Sequence, residues 1–369
     1  MNVFVIATAS RTSGALSIYK QFVKQLETKT GNDRYFVFVD PSMPQTNIPR
    51  VQYITANTHG LRRVFFDFWG FKRAIKQTGV VPDLILSLQN TGVKYPKVPQ
   101  IIYFHNILPL HKKLWNPFKR SSRTLFFYAS LYPFYIRMLI NKRMNVIVQA
   151  NFIKPLFADR FRFPHQQIHV IRPHISIADT ETDVATSPFS TDTFNFIYPA
   201  LGFGYKNHLI LVNALGKLIH TEKEKKQRLV LHFTLKRGEN KSVEQRVKEL
   251  GLTNNVMFHG QVSKSQLFAW YQHATALAFP SWLETLGLPL IEAASCGLPI
   301  IACDTQYARE ALEGYQGVSF AKQDKVDEWA KSMHEACNKQ AKYPLYKHTD
   351  NTEHEAWDKL FELIHKQYI

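Results

Sequence analysis

Phe279–Asp304, FPSWLETLGLPLIEAASCGLPIIACD, is the stretch on which the reading of the whole chain turns. It begins at the end of Ala276–Phe279, an apolar run of strand length. Pro280 and Ser281 open a loop that carries Glu284. Gly287 and Pro289 then start a helix, Leu288–Ser295, because proline is tolerated in a first helical turn. That helix carries Glu292, Gly297 and Pro299 stop it, and Ile300–Ala302 reads as the next strand. A glycine loop that opens a helix presents unbonded N–H groups beside the positive end of the helix dipole, a ready site for phosphate or pyrophosphate. Glu284 and Glu292 flank this site. A carboxylate is a poor phosphate ligand but a good acceptor for vicinal sugar hydroxyls, so the expected ligand has both phosphate and sugar parts. An ordinary acidic helix face would explain the carboxylates but not the glycine loop between them.

Outward from this stretch, short apolar runs alternate with helical spacing in both directions. Before it lie Asn2–Ala7, Arg34–Val39, Leu84–Leu88, Gln100–Phe104 and Asn145–Val148, then Phe194–Tyr198, Leu229–Leu235 and Val256–Phe258; after it comes Val318–Phe320. Helical spacing runs through Gly14–Thr30, from about Asn151, and over His208–His220, Ser242–Leu250, Ser263–His273 and Val326–Cys337. Short, wholly apolar strands between helices predict parallel sheets buried on both faces, hence a doubly wound α/β architecture. The polar stretch 178–193, ADTETDVATSPFSTDT, reads as a linker between two such domains. Ligands of such sheets bind at the carboxyl ends of the strands, so a cleft between the domains is the expected site.

The Glu284–Glu292 pair, spaced Glu-x7-Glu in PSWLETLGLPLIEAASCGLPIIACD, resembles the motif of the retaining glycosyltransferases of family four, which have the GT-B fold. The resemblance implies two Rossmann-like, doubly wound parallel-sheet domains facing a central cleft. The first, residues 1–180, would bind the acceptor; the second, 190–350, would bind the nucleotide sugar; and a C-terminal helix in 353–369 would pack back on the first. By the same resemblance Glu292 holds the ribose hydroxyls, Glu284 contacts the donor sugar, and the amides of Thr285, Leu286, Gly287 and Leu288 contact sugar and phosphate. In Tyr198–His208, YPALGFGYKNH, Lys206 matches the lysine that neutralises the diphosphate in that family. The arginine that usually shares the task would fall at Ala200 or Leu201 and is missing; Arg237, in LHFTLKRGE, is the candidate replacement. His105, in IIYFHNILP, ends a buried strand where the family carries a histidine near donor sugar and acceptor. The loop ATASRTSGAL over 7–16 corresponds to the family's double-glycine loop near the diphosphate; Ser13 stands for one glycine and Gly14 remains, and a plain helix start fits this loop equally well.

Composition bounds the alternatives. With 45% hydrophobic and 20% charged residues in 369, the chain is long enough for two cores. No apolar run reaches the length of a membrane span, and the VFVIA start carries no basic leader, so a cytoplasmic protein is expected. Three cysteines without a CxxC pair argue against a disulfide framework or zinc site, and His165 and His169 read as loop and strand. No Asp-x-Asp occurs, so metal-independent transfer without a cofactor is expected. The net charge of +17 is uneven: residues 1–180 hold 25 Lys and Arg against 7 Asp and Glu, the remainder 21 against 22. The basic half suits an anionic surface. Within it, residues 112–143 mix Lys and Arg with Trp, Phe, Tyr and Leu, which suits the anionic inner face of the cytoplasmic membrane; an amphipathic helix packed on the sheet is the other reading. The expected activity is retaining transfer from a nucleoside-diphosphate sugar, such as a UDP-sugar, to a saccharide or lipid-linked saccharide in bacterial surface polysaccharide synthesis. A GT-B phosphorylase or epimerase, and a basic protein for nucleic acid or anionic lipid with a decayed site, are the alternatives. No nucleic-acid-binding motif is present.

Overall fold

The computed structural model describes the chain except residues 12, 113–114, 120–121, 174–186, 191, 222–227, 340–341, 347–352 and 368–369. Most of the expected linker lies outside the described residues. The chain divides into two compact units: Met1–His174 with Asp350–Ile369, and Ile175–Thr349.

Unit 1 has seven strands: β1 (Asn2–Ile6), β2 (Arg34–Val39), β3 (Val51–Thr55), β4 (Leu84–Ser87), β5 (Gln100–Phe104), β6 (Asn145–Val148) and β7 (Ile168–Val170). They form one parallel sheet in the order β3-β2-β1-β4-β5-β6-β7. Unit 2 has six: β8 (Phe194–Tyr198), β9 (Leu229–Phe233), β10 (Val256–Phe258), β11 (Ala276–Phe279), β12 (Ile300–Cys303) and β13 (Val318–Ala321), ordered β10-β9-β8-β11-β12-β13 and again parallel. Each unit is therefore a Rossmann-like doubly wound sheet. The strand order reverses between β1 and β4 in unit 1 and between β8 and β11 in unit 2. The carboxyl ends of those strands open a crevice where ligands of such sheets bind.

The unbroken apolar runs follow from burial on both faces. In β1, Val3 and Val5 belong to one core, with Tyr19 and Phe22 of helix Ser13–Thr28 and Trp357, Leu360, Phe361 and Ile364 of helix Glu353–Lys366. Phe4 and Ile6, pointing the other way, join Phe36, Phe38, Phe66 and Phe71. The C-terminal helix thus completes the core of unit 1: the Phe361 ring stacks on Phe22 at 6.1 Å, and Lys29 pairs with Asp358 at the margin. Edge strand β3 was not legible in the sequence, because its half-exposed VQYIT lacks an unbroken apolar run.

Two helical segments of unit 1 carry a wide turn at their centre: 61–78 with a π-helical Phe66–Gly70, and 123–139 with a π-helical Phe127–Leu131. Such turns re-aim the side chains that follow. Here the first one buries Asp67.

Replacing Phe361 with alanine should cost about 3–5 kcal/mol, the range for removing a buried aromatic. Val81→Ala, at an exposed site, should stay within about 0.5 kcal/mol. Denaturant midpoints of the two variants check this; equal midpoints would show that the C-terminal helix does not hold unit 1 together.

Candidate active site

The site in unit 2 is built from the two loops that follow β8 and β11, on either side of the strand-order reversal. The β8 loop leads to a tight turn, Gly204–Lys206, and on to helix His208–Thr221. Its backbone is pinned: the Tyr198 hydroxyl donates to the Lys206 carbonyl at 2.6 Å, and Trp282 N–H of the β11 loop donates to the Tyr205 carbonyl at 3.2 Å. The Lys206 ammonium forms an ion pair with Glu284, both side chains less than a fifth exposed, and lies 5.3 Å from the centre of the Tyr205 ring. Two residues 78 positions apart in sequence are thereby joined across the reversal.

Gly287 caps helix Leu288–Ser295 with φ of 71°, in the left-handed region. A Cβ there would also come within 3.1 Å of Leu290 and of the Tyr307 ring, so glycine is required twice over. Tyr307 is itself held by its hydroxyl donating to the Ser281 carbonyl. Among the described residues, none of the backbone N–H groups of Thr285, Leu286, Gly287 and Leu288 donates to a protein acceptor. They stand free at the positive end of a helix, beside Lys206.

Glu292 lies one turn further along the same helix. The Tyr271 hydroxyl donates to its carboxylate at 3.0 Å. Burial pushes the Glu292 carboxyl above the usual range, opposed by the Tyr271 hydrogen bond and the charge of Lys264. Helix Lys264–His273, which carries Tyr271, starts at Ser263; that residue also lines a cavity of about 650 Å³ with Lys236, Arg237, Phe258 and Gly260. Arg237 is thus brought to this cavity, its guanidinium 5.5 Å from the Phe258 ring centre.

His105 and Gly14 belong to unit 1. Gly14 sits in the first turn of helix Ser13–Thr28 with open space around it. His105 follows β5. Its main-chain N–H donates to Asn90 Oδ1 at 2.6 Å, which turns Asn90 Nδ2 toward the imidazole at 3.2 Å from Nε2. Nε2 is therefore the acceptor and the ring proton sits on Nδ1. Burial and the charge of Arg63 push the His105 pKa down to about 4, so the ring is neutral at pH 7. Asn90 adopts φ of 67°, which asparagine tolerates better than most residues. Its loop is braced by Arg63, which donates to the Gln89 carbonyl at 2.8 Å and to Thr91 at 3.0 Å. Arg63 pairs with Asp67, which also accepts from Tyr135 at 2.5 Å. His169, read in the sequence as strand rather than metal ligand, bonds Asn145 Oδ1 at 2.8 Å. Among the described residues no cluster of three His, Cys, Asp or Glu side chains could hold a metal.

The sequence reading missed Tyr198, Tyr271 and Tyr307 as supports of the unit 2 site, and Asn90, Arg63 and Asp67 around His105. Tyr198 opens the YPALGFGYKNH stretch and Arg63–Asp67 is an i,i+4 pair, but Tyr271, Tyr307 and Asn90 reach their partners only through the fold.

These features define a class, the GT-B glycosyltransferase architecture. Residues 179–353, just under half of the chain, match the family model described as "Glycosyl transferases group 1". Over 164 residues the chain is 25% identical to D-inositol 3-phosphate glycosyltransferase 1 of Catenulispora acidiphila, covering 42% of this chain and 39% of that protein. The chain therefore spans about two fifths of that curated relative's length. Two solved structures share the fold over the whole chain. Anabaena HepE, in complex with UDP and glucose, superposes with a TM-score of 0.67 at 15% identity, covering 99% of this chain and 100% of its own. The lipopolysaccharide outer core galactosyltransferase WaaB superposes at 0.64 with 17% identity and full coverage of both chains.

A raised carboxyl at Glu292 has a signed consequence. In the unliganded protein its contribution to stability is present below the unfolded pKa and is lost as pH rises through the folded value. Glu292→Gln should therefore raise the thermal midpoint of the unliganded protein at neutral pH. Binding that uses the carboxylate as acceptor runs the other way: affinity for a ligand whose hydroxyls it accepts should fall on acidification, from a higher pH than an ordinary carboxylate would give. Titration calorimetry across pH checks this, and an unchanged pH profile in Glu292→Gln would remove Glu292 from the binding site.

Proposed function

We propose that this chain is a glycosyltransferase that moves a sugar from a nucleoside-diphosphate sugar to a saccharide or lipid-linked saccharide. The observation that carries the reading is the set of unbonded amides at Thr285–Leu288, directly following Glu284, which pairs with Lys206. Together they offer fixed positive charge for a diphosphate and a carboxylate for the sugar beside it. When the diphosphate arrives, Lys206 transfers its pairing from Glu284 to the phosphate, and Glu284 is released to accept from the donor sugar's hydroxyls. Glu292, held by Tyr271, takes the ribose hydroxyls. The cavity lined by Arg237 and Gly260 is the proposed place for the base; Ser263, which caps the helix that carries Tyr271, also lines it.

The chemistry that follows is departure of the nucleoside diphosphate. Its developing negative charge is stabilised by preorganised amides, the helix dipole and Lys206, without a metal ion in the role. Retention by attack on the face the leaving group vacates is proposed from the family the sequence resembles, and in that course neither Glu284 nor Glu292 needs to be a nucleophile. His105 is the unit 1 group assigned to the reacting sugar, where a neutral ring can exchange hydrogen bonds with hydroxyls without adding charge. Uridine is the proposed base, given the UDP bound by Anabaena HepE. A role in bacterial surface polysaccharide synthesis is supported by the likeness in fold to WaaB.

A thermal-shift panel of nucleoside diphosphates and sugar nucleotides tests the donor, since a ligand bound only by the folded state raises the midpoint with concentration. UDP-sugars should give the largest shift, and Glu292→Ala should abolish it. Lys206→Ala should slow transfer by roughly 10²–10³-fold, the range for losing one preorganised donor to a developing anion, with a smaller effect on donor affinity. A panel without any shift, or full transfer rates in both variants, would end the assignment.

A further inference from the structure

Among the exposed large apolar side chains of the described residues, a group falls in the two helical segments 61–78 and 123–139. In the first, Leu61, Phe65 and Trp69 recur at four-residue spacing and are exposed, Leu61 by 86% and Trp69 by 57%. The same stripe continues into Lys72 and Lys76, both exposed. In the second, Phe127, Leu131, Phe134 and Met138 form a matching stripe, Phe134 exposed by 68%, and exposed Arg123 stands one turn before it. The segments are neighbours: the Phe68 and Tyr135 rings lie 6.3 Å apart, and the Tyr135 hydroxyl reaches Asp67. Phe65, Phe68, Trp69, Lys72, Arg73 and Lys76 together line a surface cavity of about 530 Å³. Each helix buries its opposite face, as Phe66, Phe71 and Ile75 do in the core, so the exposed stripes are not displaced core residues.

Charge says what covers them. Residues 61–143 hold 15 Lys and Arg against only two acids, Asp67 and Asp83. Neither acid offsets the surface: Asp67 is buried with Arg63 and Tyr135, and Asp83 accepts from the Asn2 N–H at 2.7 Å. Large apolar side chains projecting between cations gain only where they can leave water while the cations meet anions. A nucleic acid backbone satisfies the second requirement but not the first. A bilayer with anionic head groups satisfies both, through aromatic and aliphatic insertion at the interface and lysines that reach the phosphate level. We propose that the paired segments 61–78 and 123–139 dock unit 1 on an anionic lipid bilayer. This extends the membrane-suited region beyond the basic stretch 112–143, four of whose residues lie outside the described ones, to the helical segment 61–78. The proposal does not depend on the transferase reading, and its test reads no transfer chemistry.

The full chain is floated with vesicles of phosphatidylcholine alone or with phosphatidylglycerol added. Binding is expected to the anionic vesicles only and to weaken with salt. Lys72→Ala with Lys76→Ala should weaken it roughly 25-fold, about fivefold per charge. Phe134→Ser should weaken it by about tenfold through lost apolar insertion. Thermal midpoints of these variants should match the parent, since every substituted side chain is exposed. In a second measurement, brominated acyl chains in the anionic vesicles should quench tryptophan emission. Trp69→Phe should keep the binding but lose a substantial part of the quenching. The proposal is overturned by absence of flotation at low salt, by equal binding to neutral vesicles, by unchanged binding in the lysine and Phe134 variants, or by quenching that ignores Trp69.

Discussion

Helix Leu288–Ser295 starts on Gly287, and among the described residues the N–H groups of Thr285 to Leu288 at that start have no protein acceptor. Everything else in unit 2 can be understood as holding that demand in one place. The left-handed Gly287 starts the helix abruptly, with no room for a side chain above Tyr307 and Leu290. Tyr307 and Tyr198 fix the two loops from beneath, and Trp282 ties one loop to the other. The result is a patch of fixed partial positive charge that need not reorganise when an anion arrives. Lys206 adds a full charge, paired with Glu284.

Unit 1 has the same topology at its own reversal and treats it differently. There the polar groups are spent on one another: Thr8 donates to Gln89 at 3.2 Å, Gln89 to Asp67 at 3.3 Å, and Arg63 and Tyr135 converge on the same carboxylate. The network hands its order to Asn90 and so to the orientation of His105. One crevice thus presents open donors and the other a braced neutral ring.

The legibility of the sequence varied with how local each feature is. Strands such as β1, β4, β5 and β11 announce themselves because a strand covered on both faces has no polar position to interrupt the run. The loop from Pro280 to Leu288 was equally readable, since its glycine, proline and carboxylates act within a few residues of each other. Edge strand β3 escaped because one side of it meets water. The stripe Leu61–Phe65–Trp69 escaped for another reason: helical spacing of apolar residues ordinarily marks a core face, and only the fold shows this one pointing outward. Arg237 was read toward the diphosphate from its place after a strand; its stacking on Phe258 beside a cavity was not legible there.

What the sequence determined by itself was the doubly wound α/β architecture, the glycine that starts helix Leu288–Ser295 and the imbalance of charge between the halves, because these rest on periodicity, on short-range backbone chemistry and on counting. Tertiary structure alone decided that Lys206 meets Glu284, that Tyr271 holds Glu292, that Asn90 sets the proton of His105, and which apolar stripes face out. Those pairings join residues 15 to 78 positions apart. The side chains involved carry no mark of their partners, which are fixed only when parallel strands set the loops side by side at their carboxyl ends.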